Sequence, residues 1–461
     1  MTSAGTHREV ADAAWRWVLD QIRWDDGPWI PESSAAEIPE QRDGTYAGTG
    51  GLVQALAEIR LSRPWTAEEQ TLVDAIAERL RAQVPTMTDY TYFDGLVSAI
   101  GVFTTLGIPG TTAAVRRLSE LAEPDGWPQT ILKPPRVLPG SRFNDLTLGT
   151  AGVLLGALWA LRHGVEEARE LADRAADLLL VEGEPVPGGT NWPFVPVRFA
   201  SGKPFTQMPN LSHGLAGIAT ALALAGAELG RPELTSAATD GAKYLVSLGV
   251  TDGQGLVVPR YIPDDESDED KYTYNWCHGA SGTSLLFLAL DQAEVKEIAG
   301  EPPLAWHRRC LHSVRTSGLP ARLHPGFWDN DGRCCGTAGV GDLFLDSWLR
   351  SGETDDLRFA LQLADTLVDR AVWDGPYAYW RFLEHRADEP LLPPGIGWMQ
   401  GAAGIATFLF RASRLSIEGP NATVIPRMET WWTLPAQRRQ TSAVVRNADE
   451  PGRSAEPSTW T

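Results

Sequence analysis

The sequence predicts an all-α protein made of seven helical-hairpin repeats, and three observations support this fold class. A Gly-x-x-Gly pattern followed by an apolar run recurs along the 461-residue chain, and amphipathic segments alternate with these runs. Successive patterns begin 47 to 65 residues apart, which leaves room for two helices and two loops. The first glycines of the seven patterns are Gly48, Gly95, Gly149, Gly214, Gly279, Gly336 and Gly401, of which the second is degenerate.

Each glycine pattern predicts the start of a buried inner helix. The segment Val153–Leu161, for example, is apolar and is too long and too rich in small residues for a strand. Glycines in the first turn allow seven helix starts to crowd around one axis. Helix N-termini carry partial positive charge, which favours thiolates placed just before them.

The segments between these apolar runs predict half-exposed outer helices, because their apolar residues recur every three or four positions. They include Ala67–Arg81, Glu166–Leu180, Glu233–Leu248, Leu304–Val314 and Asp356–Ala371. Alternation of inner and outer helices predicts an α/α toroid, with one ring of helices inside another. A superhelical solenoid is the alternative. We favour the closed form because the candidate metal ligands, described below, come from neighbouring repeats, and these residues should converge on one axis.

The predicted toroid domain covers residues 1–436. Its last helix is expected to end near Arg414, and residues 424–433, with two tryptophans, are expected to dock as a final strap. The remaining residues 437–461 are rich in Pro, Ser and Arg, so we expect a disordered tail from Gln437.

The bulk composition excludes several classes of protein. The chain has 59 acidic and 40 basic residues, a net charge of −19, which argues against binding nucleic acid or an anionic membrane. No signal peptide and no run of about 18 apolar residues is present, so no transmembrane segment is expected. Four cysteines do not make a disulfide scaffold in so long a chain, and we expect a cytoplasmic protein.

Three of the four cysteines, Cys277, Cys334 and Cys335, lie one or two residues before a repeat glycine. The symmetry of the repeats should bring them together at one end of the lumen. Thiolates favour Zn²⁺, and three protein ligands leave a fourth position open, as in catalytic zinc sites. His278 could replace one of the paired cysteines as a ligand, and the pair could instead be core thiols or a vicinal disulfide. Cys310, in a predicted outer helix, is interpreted as a buried apolar residue.

Two further side chains are candidate catalytic residues. His213 directly precedes Gly214, at the position that His278 and Cys335 occupy in the next two repeats. A lumen-facing imidazole can transfer protons near neutral pH, although a capping or core role is the alternative. Asp145 lies four residues before Gly149, where helix capping is an equally good interpretation.

Between roughly Gly44 and Arg414 the chain resembles the lanthionine synthetase C-like (LanC-like) family. The resemblance rests on the motifs Ser-His-Gly-Leu-Ala-Gly, Trp-Cys-His-Gly-Ala-Ser-Gly and Cys-Cys-Gly-Thr-Ala-Gly. It implies a zinc ion at the mouth of the toroid, held by Cys277, Cys334 and Cys335. It also implies that His213 is the active-site histidine and that Asp145 is the active-site aspartate.

The chain departs from the family pattern at two positions. Cys335 stands where the family usually has histidine, and Thr273 stands where an arginine is often found. That arginine would stabilise an enolate, so His278 or Arg333 would have to substitute for it. Position 278 is tyrosine in many bacterial cyclases and histidine in eukaryotic LanC-like proteins.

The resemblance implies a cyclase of lanthipeptide antibiotic biosynthesis. Such an enzyme adds a peptide cysteine thiol to dehydroalanine or dehydrobutyrine, forming a lanthionine or methyllanthionine ring, with His213 and His278 handling the proton. The expected partners are a dehydrated precursor peptide and a separate dehydratase or kinase/lyase that dehydrates it. The alternatives are a transferase that adds glutathione or another small thiol, and a non-catalytic zinc-bearing scaffold that binds peptides.

Overall fold

Two concentric sets of helices form the protein in the computed structural model, which describes residues 3–34, 42–129, 131–132, 137–200, 206–263, 271–321, 330–383 and 391–436. The outer helices in this described part are α1 (Ser3–Asp20), α3 (Ala67–Gln83), α5 (Thr111–Leu121), α7 (Ala168–Glu182), α9 (Pro232–Leu248), α11 (Pro303–Thr316) and α13 (Thr354–Arg370). The inner helices are α2 (Thr49–Arg60), α4 (Leu96–Leu106), α6 (Thr150–Arg162), α8 (Leu215–Leu229), α10 (Ala280–Gln292), α12 (Thr337–Ser351) and α14 (Ala402–Glu418).

The repeat glycines fix where the inner helices begin. Every inner helix starts at the residue that follows the first glycine of a repeat, and that glycine is its N-cap. The second glycine of the pattern lies in the first turn. At Gly282 a Cβ would collide with the carbonyl oxygen of Trp276, because the loop before the helix folds back against its first turn. The pattern therefore allows each loop to lie directly on the helix that it precedes.

A continuous chain of main-chain hydrogen bonds closes the inner ring. It passes through the loop before each inner helix, and we call it the backbone ring. In each of the following pairs, the N–H of the first residue donates to the carbonyl of the second: Ser212 and Cys277 (3.0 Å), Cys277 and Cys334 (3.2 Å), Cys334 and Met399 (2.8 Å), Met399 and Tyr46 (3.0 Å), Tyr46 and Phe93 (3.3 Å), Tyr92 and Thr147 (3.1 Å), and Thr147 and Ser212 (3.2 Å). Ser212 is both the first donor and the last acceptor in this series. The repeats therefore close on themselves, and a solenoid is excluded.

The N-terminal helix completes the outer ring. Helix α1 packs against α14 and α13, while α14 also packs against α2. The seventh hairpin is therefore formed by the last inner helix and the first helix of the chain. The predicted outer helices agree with those observed to within two residues or so at most ends, and α14 continues beyond Arg414 to Glu418.

Residues 419–436, which we call the strap, follow α14 and fill much of the lumen. Trp431 and Trp432 are fully buried, and the indole N–H of Trp432 donates to the carbonyl of Leu285 in α10 (3.1 Å). Arg427 forms an ion pair with Asp342 of α12. The expected strap at 424–433 is thus buried against the inner helices, whereas the tail expected from Gln437 lies outside the described residues.

Three small antiparallel hairpins occur in the loops. They pair β1 (Glu184–Val186) with β2 (Gly189–Asn191), β3 (Val372–Asp374) with β4 (Tyr377–Tyr379), and β5 (Phe382–Leu383) with β6 (Leu391–Leu392). In register, Glu184 faces Asn191, Val372 faces Tyr379 and Phe382 faces Leu392. Within the described residues, every helix is too short or too polar to cross a membrane.

Candidate metal centre and active site

The loops before α10 and α12 bring three cysteines together. The sulfur atoms of Cys277, Cys334 and Cys335 all lie within 4.8 Å of one another. The Sγ–Sγ distance is 3.1 Å between Cys277 and Cys335 and 3.3 Å between Cys334 and Cys335. All three side chains are buried, and none forms a disulfide. The vicinal disulfide that the sequence left open is therefore wrong.

Local hydrogen bonds hold this cluster in place. Cys277 and Cys334 are members of the backbone ring, and the N–H of Cys277 donates to the carbonyl of Cys334 (3.2 Å). The side-chain oxygen of Asn275 accepts from the Cys277 thiol (3.4 Å) and from the backbone N–H of His278 (2.9 Å). The three sulfurs are thus positioned by main-chain contacts between repeats.

The three sulfurs suit a zinc ion. Four sulfurs at the usual Zn–S distance lie about 3.8 Å apart in a tetrahedron, close to the spacings in this cluster. Hydrogen bonds from Cys277 and then Cys335 lower the pKa of the Cys334 thiol. Burial raises the pKa of Cys277, and hydrogen bonds with Cys277 and Cys334 raise that of Cys335. A cation that binds thiolates, such as Zn²⁺, would allow all three sulfurs to ionise together.

His213 is held by Asp145, as the catalytic interpretation requires. Nδ1 of His213 lies 2.9 Å from Oδ2 of Asp145, a fully buried carboxylate. The same oxygen accepts the backbone N–H groups of Thr147 and Leu148, each at 3.2 Å. Asp145 therefore caps its own loop and also orients the histidine, and its role as an active-site residue stays a prediction. With Nδ1 engaged, Nε2 is the nitrogen that can exchange a proton with a bound molecule.

His278 lies beside His213, and their ring centroids are 5.8 Å apart at an interplanar angle of 30°. The cluster of possible ligand atoms found among the described residues consists of the three cysteine sulfurs and includes no nitrogen of His278. The structure thus places His278 next to the metal centre and not within it. The edge of Phe194, from the loop before α8, also packs on His213 with centroids 5.8 Å apart.

Arg333 extends away from the cysteines into the lumen. Its guanidinium forms an ion pair with Asp342 (2.7 Å) and stacks on the ring of Trp398, 4.0 Å from the centroid. It lines a small cavity of about 30 Å³ whose other lining residues include Trp276 and Glu429. Of the two residues proposed to replace the missing arginine, His278 therefore lies near His213, whereas Arg333 is engaged in the lumen.

Tyr46 is a site residue that the sequence reasoning missed. It belongs to the backbone ring, in which its carbonyl accepts the N–H of Met399 (3.0 Å) and the carbonyl of Met399 accepts the N–H of Cys334 (2.8 Å). Burial, followed by the charge on Cys334, raises the pKa of the phenol well above its ordinary value. The available signal was its repeat position, since Tyr46 stands two residues before Gly48 as Cys277 and Cys334 stand before Gly279 and Gly336.

Cys310 lies elsewhere, as expected. It is fully buried in α11, and burial alone raises the pKa of its thiol well above the ordinary value. The thiol is chemically inert in such surroundings. It provides an internal control for experiments on the other three cysteines.

The sequence model of the family described as lanthionine synthetase C-like protein matches residues 39–418. The chain belongs to the LanC-like family. The resemblance inferred from the three motifs is thereby confirmed. No curated protein sequence matches the chain.

Solved structures similar to this LanC-like protein are also toroids. Nisin cyclase matches with a TM-score of 0.58 and 14% identity, covering 88% of this chain and 92% of its own. A GH76 α-mannanase of Bacteroides thetaiotaomicron matches with a TM-score of 0.47 and 12% identity, covering 89% of this chain and 96% of its own. At 14% identity the likeness to nisin cyclase shows the fold alone, and together with the closed backbone ring it confirms the predicted α/α toroid.

Proposed function

We propose that this LanC-like protein is a zinc-dependent cyclase. It adds peptide cysteine thiols to dehydroalanine or dehydrobutyrine in the same ribosomally made peptide, forming lanthionine or methyllanthionine rings. One observation carries the proposal: three buried thiols converge within 4.8 Å of one another, close to a histidine that a buried carboxylate orients. Family membership and the toroid fold support it.

Cys277, Cys334 and Cys335 would hold the metal. A bound Zn²⁺ with three protein ligands supplies one open coordination position and lowers the pKa of a thiol that occupies it. The burial of the three sulfurs keeps bulk water from competing at the site. The chain itself then has to bind the peptide, orient it and move protons.

The reaction conserves atoms and electrons. A bond forms between the substrate sulfur and the β-carbon of the dehydro residue, and the carbon–carbon π bond breaks. The thiol loses one proton and the α-carbon gains one, so the product has the same mass as the substrate. The negative charge that develops on the carbonyl oxygen must be stabilised until the α-carbon is protonated.

His213 and His278 are the groups that can move these protons. Asp145 lies 2.9 Å from Nδ1 of His213 and thereby fixes which nitrogen would face the substrate. His278, with its ring centroid 5.8 Å from that of His213, can donate to the developing enolate oxygen in place of the missing arginine. Two imidazoles this close allow one to accept the thiol proton while the other donates.

The second candidate function uses the same site with another thiol. A glutathione-like molecule could be added to dehydrated residues, and the histidine at position 278, as in eukaryotic LanC-like proteins, favours this reading. We infer that the peptide substrate is dehydrated beforehand by a separate dehydratase or kinase/lyase, and that both proteins act in the cytoplasm.

One assay tests these proposals. Purified protein is incubated with a dehydrated, cysteine-containing peptide, with and without a chelator, and free thiol and product mass are followed. Cyclisation removes thiol without a change in mass, whereas transfer adds the mass of glutathione when that thiol is supplied. We expect the Cys277→Ala variant to be inactive and the Cys310→Ala variant to retain activity. A protein that contains zinc but consumes no thiol would be a binding scaffold.

A further inference from the structure

A second hydrophobic core, separate from the main one, joins the loops before α6 and α8. We call it the small core, and its buried members are Val137, Phe143, Phe194 and Val195, with Leu132, Leu148 and Phe199 packed against them. The rings of Phe143 and Phe194 stack with their centroids 4.9 Å apart and their planes inclined by 14°. Small clusters of this kind are common under long loops. This one is distinguished by its contact with His213.

Hydrogen bonds fix the backbone on which Phe194 is carried. The backbone N–H of Asn144 donates to the carbonyl of Phe194 (3.1 Å). The side-chain amide of Asn144, which is buried, donates to the carbonyl of Pro193 (2.8 Å). Together with the stacked ring of Phe143, these bonds hold Phe194 in place independently of any contact that it makes with His213.

Phe194 and Asp145 constrain the imidazole of His213 in different ways. Nδ1 of His213 lies 2.9 Å from Oδ2 of Asp145, and this hydrogen bond fixes one ring atom. It leaves the ring plane free to rotate about the bond. The ring of Phe194 stands at 85° to the imidazole, with centroids 5.8 Å apart, and such aromatic contacts restrict ring orientation. The consecutive residues 143–145 therefore hold the histidine by two routes, a hydrogen bond and an aromatic ring.

We propose that Phe194 is a positioning residue for His213: its ring fixes the plane of the imidazole that Asp145 holds by one nitrogen. The inference rests on the proposed function, in which Nε2 of His213 exchanges a proton with the substrate. Protons are transferred over hydrogen-bond distances, so a small error in the direction of Nε2 slows the reaction. Phe194 fulfils this role without contacting the reacting atoms.

The test compares Phe194→Leu with Phe199→Leu. Leucine removes the aromatic ring but keeps an apolar side chain in the small core. Phe199 is the matched control, because it packs against the same core while its ring contacts are with the guanidinium groups of Arg142 and Arg198. Thiol consumption on a dehydrated peptide gives kcat and KM for each protein.

A second measurement reports on the histidine itself. Proton NMR follows how fast the Nδ1 proton of His213 exchanges with water, and the signal is identified by its loss in His213→Gln. We expect Phe194→Leu to lower kcat about tenfold with KM and zinc content unchanged. Its Nδ1 proton should exchange faster than in the wild type, because the bond to Asp145 opens more often. Phe199→Leu should match the wild type in every measurement.

Two results would overturn the proposal. One is a wild-type kcat and exchange rate in Phe194→Leu. The other is an equal loss in both variants, which would show that the two rings only stabilise the small core. If the wild type consumed no thiol, the proposed cyclase function would fail. The exchange rates of the two variants would then still decide whether Phe194 positions His213.

Discussion

His213 takes its orientation from a carboxylate that is itself fixed on two sides. Asp145 accepts two backbone N–H groups from its own turn, from Thr147 and Leu148, and uses the same oxygen for Nδ1 of His213. A side chain held in this way cannot turn to follow the imidazole. The histidine must therefore adopt the tautomer and ring angle that suit Asp145, which leaves Nε2 as the nitrogen available for the proton transfer proposed above.

Replacing Asp145 with asparagine separates its two roles. The amide oxygen can still accept the backbone N–H groups, but the negative charge that stabilises an imidazolium is lost. We expect Asp145→Asn to fold normally, to bind zinc like the wild type, and to consume thiol about 100-fold more slowly. Thiol loss on a dehydrated peptide and zinc content measure the two effects. A wild-type rate would show that Asp145 is only a cap.

The carboxylate Asp94 directly precedes the first glycine of its repeat, as His213 and His278 do in theirs. Burial, with the nearby charges of Asp89 and Glu32, raises its pKa to about 7. Because its ordinary pKa is lower, the folded protein binds more protons than the unfolded chain between about pH 4 and 7. Ionisation of Asp94 therefore destabilises the fold progressively as the pH rises through this range.

The uncharged variant Asp94→Asn should remove this effect. We expect the variant to exceed the wild type in stability at pH 8 by at most a few kcal/mol, since one pKa unit corresponds to about 1.4 kcal/mol. At pH 4, where Asp94 is protonated in the fold, the two proteins should differ little. Chemical denaturation at both pH values checks the prediction, and equal differences at both would contradict it.

At the scale of elements, the contact between a loop and the first turn of the next helix determines where the cysteines lie. Gly282 shows this most directly, because the carbonyl of Trp276 occupies the space that a Cβ would need. Any side chain there would push the loop away from α10. Since Cys277 follows Trp276, the displacement would reach the metal centre.

We therefore expect Gly282→Ala to lose zinc affinity by tenfold or more and to lose about 1–3 kcal/mol of stability through overpacking. Gly101→Ala is the control, because an added methyl group in α4 would meet only the movable end of Met428 at 3.1 Å. Chelator competition and chemical denaturation measure both variants. Equal zinc affinity in the two variants would show that the loop can shift without disturbing the cysteines.

At the scale of the whole molecule, the metal centre joins two neighbouring repeats of a ring that is already closed. Zn²⁺ bound as proposed would join Cys277 to the pair Cys334 and Cys335, which lies far from it in the unfolded chain, so it should stabilise the toroid. At free zinc 100-fold above its dissociation constant, the gain is about 2.7 kcal/mol. Thermal unfolding with zinc and with chelator measures this difference. It should persist in Cys310→Ala and vanish in Cys277→Ala, and equal stabilisation of both would contradict the site.

The fold was predictable because the same structural unit, a loop folded against the first turn of the next helix, recurs seven times along the sequence. The cysteines were found by the same logic, since equivalent positions meet at one axis. Tyr46 was missed because a tyrosine carries no metal-ligand signature, although its repeat position was equivalent. The direction of Arg333 was also unpredictable, because it depends on Asp342 within the following helix and on Trp398, which is distant in sequence.

Chain order also concealed how the ring is completed. Helix α1 precedes every glycine pattern and yet packs against α14, so it belongs to the seventh hairpin. Helix α1 was not among the predicted outer helices, because it belongs to no repeat that follows it in the chain. The three hairpins were missed because strands of two or three residues leave no periodic signal.

For the proposed cyclase, the strap bears on how large a product could be. Trp431 and Trp432 are buried against the inner helices, so a substrate peptide would approach the cysteines from the end of the barrel where the loops before the inner helices lie. A closed thioether ring would then form outside the barrel. Its size would be set by how the peptide bends, and the width of a channel would place no upper bound on it.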